Sequence, residues 1–170
     1  MKTPAIDFDA LHLGFKLVTG ISPSFSPFTL QSDNAVRYSI DKLTVQDESK
    51  RGPFAVFYDF KLARQFSNNC SVIRYGGTGK ITILGIAYII SNELRMWFDQ
   101  CGKGYYCGRD YCDTPIGTVL AKLVLPLTEI DTQKMINEDK LLAVIKGRLT
   151  VFRKKVGSGM PVEVTQEWRS

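Results

Sequence analysis

The ten residues ITILGIAYII, from Ile81 to Ile90, form the longest uninterrupted apolar run of the chain. That is about half of the ~20 residues a helix needs to cross a bilayer, so the run does not read as a membrane span. It is instead the strongest strand signal present, with Gly85 placed for a β-bulge. The rest of the texture is mostly strand-like as well. LHLGFKLV (11–18) alternates apolar with other residues before the prolines of SPSFSPF interrupt it. FAVFYDFKL (54–62), rich in aromatics, reads as a buried strand, and TVLAKLVLPL (118–127) as another.

Three segments read as short helices. SDNAVRYSIDKL (32–43) opens behind Ser32 or Asp33 and SNELRMWFDQ (91–100) behind Ser91, since a side-chain oxygen there accepts from the first free amides. EDKLLAVIKG (138–147) sets Leu141, Leu142 and Ile145 on one face and is expected to stop at Gly147. Beyond it, RLTVFRKK and PVEVTQEW alternate with period two across VGSG, which predicts a hairpin sharing Leu149, Val151, Val162 and Val164 on a covered face. The sum is α+β: an antiparallel β-sheet against two or three short helices, with a C-terminal helix followed by a β-hairpin. At 170 residues one domain is expected over 11–170, behind a loose N-terminal arm at 1–10.

The first residues, MKTPAIDFDA, show no secretory pattern, so a reducing, intracellular compartment is expected, and with it free thiols rather than disulfides. Three of the four cysteines fall in CGKGYYCGRDYC (101–112). Their spacing, C-x5-C-x4-C, lacks the two-residue pairs that present zinc ligands on one turn, and the single histidine is His12. No metal or other cofactor is expected. Tyr105, Tyr106 and Tyr111 with Lys103 and Arg109 suit base stacking and phosphate contact, but the stretch lacks a stacking module's alternating aromatics and reads as a packing loop. GGTGK (76–80) is not a phosphate loop, because Arg74 stands where the motif requires glycine and a strand follows.

Catalysis finds little support. One histidine leaves no imidazole base for most nucleophile schemes, and the adjacent Glu138 and Asp139 read as a solvated helix start. No enzymatic activity is expected. The net charge of +5 favours acidic partners, and Lys146, Arg148, Arg153, Lys154 and Lys155 concentrate positive charge within ten residues. Such a run is either a wet face or a dock for phosphate or acidic protein.

The order of segments resembles a rhabdovirus matrix protein. GFKLVTGISPSFSPF followed by SDNAVRYSIDKL is similar to the first strand, loop and helix of that family's core. KRGPFAVFYDFKL resembles its basic residue, proline and phenylalanine leading into a strand, and CGKGYYCGRDYCDTP its cysteine- and tyrosine-containing loop ending in proline. IGTVLAKLVLPL resembles the family's next strand, and EDKLLAVIKGRLTVFRKKVGSGMPVEVTQEW its closing helix, strand, double-lysine turn and strand. The likeness covers residues 11–168. Two departures accompany it: the lysine-rich arm and the proline-rich late motif of vertebrate-infecting members are missing, which points to a plant- or arthropod-infecting member such as a cytorhabdovirus.

The resemblance implies a non-enzymatic virion protein lying between nucleocapsid and envelope, and in the host cytoplasm and at the inner membrane surface. Its implied partners are the nucleoprotein–RNA nucleocapsid, an anionic membrane leaflet, further copies of itself in a polymeric layer, and the tail of a viral glycoprotein. Docking is expected through Lys146, Arg148, Arg153, Lys154 and Lys155, and self-association through Tyr105, Tyr106, Arg109 and Tyr111. The competing expectation is a small viral RNA-binding or silencing-suppressor protein using the same residues as a basic hairpin together with the tyrosine loop.

Overall fold

The computed structural model describes residues 5–19, 24–25, 36–48, 53–73, 81–92, 96–100, 103–107, 116–132, 134 and 137–165. Its organising strand is β6 (Ile81–Ile90), which is hydrogen-bonded along its length on both edges, to β1 (His12–Thr19) and to β9 (Thr118–Ile130). All these pairings are antiparallel, and β5 (Phe54–Phe57) bridges the far edges of β1 and β9. The strands β1, β6, β9 and β5 therefore pair in a ring. Three short strands complete the seven-stranded sheet: β2 (Ser24–Phe25), β3 (Arg37–Tyr38) and β4 (Thr44–Val45). The α+β architecture expected from the sequence is the one found.

Alternation along these strands separates two cores. Ile83 and Ala87 of β6, Phe15 and Leu17 of β1, and Leu123, Leu125 and Leu127 of β9 pack against the helices α1 (Phe60–Ile73) and α2 (Glu138–Gly157). Leu84, Ile86 and Tyr88 point the other way and join Val18, Tyr38, Phe54, Val56 and Val124, a cluster with no helical residue among the described ones, on the inner side of the curled sheet. Lys16 lies on that inner side, 5% exposed, its Nζ donating to the Ala55 carbonyl at 2.9 Å and standing 5.3 Å from the centre of the Tyr38 ring. Hydrogen bonding and a ring face are what make a buried ammonium tolerable.

Gly85 does sit at an irregularity: register shifts between Gly85 and Ile86, with the extra residue, Leu127, on β9. Gly85 also gives room to α2, since a Cβ there would lie 2.7 Å from Ile145 Cγ1.

Several local expectations are corrected. Residues 148–155 do not form a hairpin strand; α2 runs through Gly147 to Gly157, because Ile145, Leu149, Phe152 and Val156 continue the apolar stripe of Leu141 and Leu142 onto the core. The glycine costs the helix about 1 kcal/mol, less than that burial returns. Past the helix Val164 forms an isolated parallel bridge with Leu43, with Leu43 N–H donating to the Glu163 carbonyl and Thr165 N–H to that of Leu43. The strand expected over 54–62 ends at Phe57, and the sequence reading missed α1, which begins after Asp59, whose Oδ1 accepts from Leu62 N–H at 2.9 Å. Arg37–Tyr38 is strand where a helix was expected, while residues 32–35 fall outside the described set. Met96–Gln100 is strand β7 rather than the tail of a helix. Nor is the whole N-terminal arm loose: Ile6 and Phe8 pack on the helix-covered core, and the Phe8 ring lies 6.4 Å from that of Phe152. No helix among the described residues is long and apolar enough to cross a membrane.

Candidate functional site

Helix α2 carries the cations singled out in the sequence. Asn137 starts it, with its side-chain oxygen accepting from Asp139 N–H at 2.9 Å and Lys140 N–H at 3.3 Å. Glu138 and Asp139 occupy the first turn and Lys154 and Lys155 the last, each complementing the helix macrodipole. After Asp139 the helix has no further carboxylate, while Lys140, Lys146, Arg148, Arg153, Lys154 and Lys155 are all exposed. Ile145 and Phe152 anchor its inner face, fully buried.

At 100° per residue, the five predicted docking residues do not make one patch. Lys146 and Arg153 lie on one flank of α2, Arg148 and Lys155 on the other, and Lys154 between them. Three of them have local work as well. The Arg153 guanidinium stands 5.2 Å from the centre of the Phe8 ring, a cation–π contact tying the N-terminal segment to the helix. Lys154 and Lys155 sit in the last turn, at the negative end of the macrodipole, and their backbone carbonyls accept from Ser158 N–H. Lys146 and Arg148, in mid-helix, have no such role to explain them.

The sequence reading missed Lys140, Val144 and Val151, which share the flank of Arg148 and Lys155. The signal was the helical period itself, hidden once Gly147 was taken as a stop. Val144 and Val151 are 52% and 49% exposed, well above what a core-facing valine shows.

The tyrosine stretch is partly strand. β8 (Lys103–Cys107) pairs with β7 in a two-stranded sheet of its own, setting Trp97 opposite Tyr106 and Phe98 opposite Tyr105. So Tyr105 and Tyr106 lie on a ribbon rather than in the expected loop. Arg109 and Tyr111 lie outside the described residues, as do Cys101, Cys112 and the GGTG turn.

One cleft opens elsewhere, of about 340 Å³, between Thr82 of β6 and Glu129, Ile130, Asp131 and Thr132 at the end of β9. Among the described residues two carboxylates, two threonines and an isoleucine line it. Burial pushes the Tyr88 phenol above its ordinary range; Tyr88 belongs to the inner core. Comparison of the chain with protein families, with curated proteins and with solved structures finds no match in any of the three.

Proposed function

We propose that the chain is a structural protein that works by adhesion, in the manner of a viral matrix protein: self-associating, condensing a ribonucleoprotein and linking it to an envelope. The observation that carries this reading is α2, a rigid helix on a folded core that offers six exposed cations to solvent with no carboxylate after its first turn. Cations held this way meet an acidic surface with little loss of hydration, and many weak contacts on a regular array add up through multivalency. No tight pocket is needed. The partners that fit are an acidic nucleocapsid, an anionic leaflet, neighbouring copies and a glycoprotein tail. Electron microscopy of purified protein mixed with nucleocapsids tests the reading: ordered decoration supports it, and bare nucleocapsids at low salt count against it.

A second reading, direct binding of single-stranded RNA, is favoured by the β7–β8 register, which puts four aromatic residues into two cross-strand pairs next to Lys103. Aromatic ribbons of this kind suit base stacking. In a gel-shift titration it requires steep salt dependence and weakening on Tyr105→Ala/Tyr106→Ala.

A further inference from the structure

Charge alone does not explain the flank of α2 that carries Val144 and Val151. Lys140, Val144, Arg148, Val151 and Lys155 follow at spacings of four, four, three and four, which keeps them within an arc of about 80° along about 22 Å of helix. All three cations are exposed, and neither valine belongs to the two cores. Two half-bare valines thus alternate with three cations along one line. A polyanion such as RNA would satisfy the cations and leave both valines in water. An anionic bilayer surface satisfies both kinds of group, because headgroup phosphates and carboxylates meet the cations while the valine methyls reach the boundary with the acyl chains. The long stems of lysine and arginine let their charged heads stay at headgroup depth while the helix settles.

We propose that this strip of α2 seats on an anionic lipid leaflet, with Val144 and Val151 dipping between the headgroups and Lys140, Arg148 and Lys155 pairing with them. Lys146 and Arg153, on the other flank, do not belong to this contact. The inference rests on the reading of α2 as a docking face and narrows the surface it meets to lipid.

The test uses the full chain with phosphatidylcholine vesicles, with and without phosphatidylserine, and in parallel with polyuridylate. Val144→Ser/Val151→Ser lowers partitioning onto the phosphatidylserine vesicles by about fivefold to tenfold, the effect of losing two half-buried valines, and leaves polyuridylate binding unchanged. Val144→Leu/Val151→Leu shifts partitioning the other way. Lys140→Glu/Arg148→Glu/Lys155→Glu abolishes vesicle binding. If both valine pairs partition like the parent protein, the lipid contact is wrong. If the protein binds polyuridylate and ignores vesicles, the lipid contact is wrong while the docking reading of α2 stands; if it binds neither at low salt, both fall.

Discussion

A Cβ placed on Gly14 would lie 2.6 Å from the Phe57 carbonyl oxygen and 2.7 Å from the Tyr88 ring, and the first of these is backbone that cannot swing aside. Gly14→Ala is therefore expected to destabilise the fold by about 1–3 kcal/mol, read as a lowered midpoint in urea unfolding. Tyr88 itself offers a test in pH. Its phenol ionises with more difficulty in the folded protein than its ordinary value of 10.0, because it is buried. The unfolded chain then loses that proton first, so the contribution is intact below about pH 10 and is lost as pH rises through the raised folded value. Thermal midpoints should fall above about pH 10, and Tyr88→Phe should flatten the fall. Neither of these two constraints was legible beforehand, although the bulge at Gly85 was. The constraint on Gly14 comes from β5 and β6, strands more than forty residues away along the chain, and one sequence does not reveal such neighbours.

Among the elements, β6 and β9 were legible because each is long and nearly continuous in apolar residues, and β1 because its apolar residues alternate with others. Where the local signal was mixed, tertiary packing decided. Thr150 and Val151 favour strand, and Gly147 resembles a helix end, yet Leu149, Phe152 and Val156 stay on the inner face only if the helix continues. Gly147 is accordingly a weak point in an otherwise sound helix. Nothing lies within 4 Å of where its Cβ would be, so Gly147→Ala is expected to stabilise the protein by about 0.5–1 kcal/mol, a rise of roughly 1–4 °C in melting temperature. Helix α1 was missed because the aromatic run of β5 flows into Phe60 without glycine or proline; only Asp59, a plain N-cap, marks the turn. The hairpin strand expected over 161–168 is not found in the described part, 161–165, where only Val164 bridges. Its mate is Leu43, more than a hundred residues away, and not the chain beside it.

For the molecule as a whole, the curled sheet and its two cores provide a rigid body, and α2 lies across the outside of that body with its cations turned to water. The positive run at 146–155 was visible in the sequence; that it sits on a helix, is split between two flanks, and shares one of them with Lys140, Val144 and Val151 was not, because those facts depend on the helical period through Gly147. Interactions of this kind weaken with salt, since the screening length falls to about 8 Å at physiological ionic strength. The most direct measurement is co-sedimentation at low salt, with nucleocapsids and with anionic vesicles, of a variant in which Lys146, Arg148, Arg153, Lys154 and Lys155 are changed to glutamate, its fold checked by circular dichroism. The account predicts that the folded variant stays in the supernatant while the parent protein pellets and is released by added salt; a folded variant that pellets like the parent would contradict it.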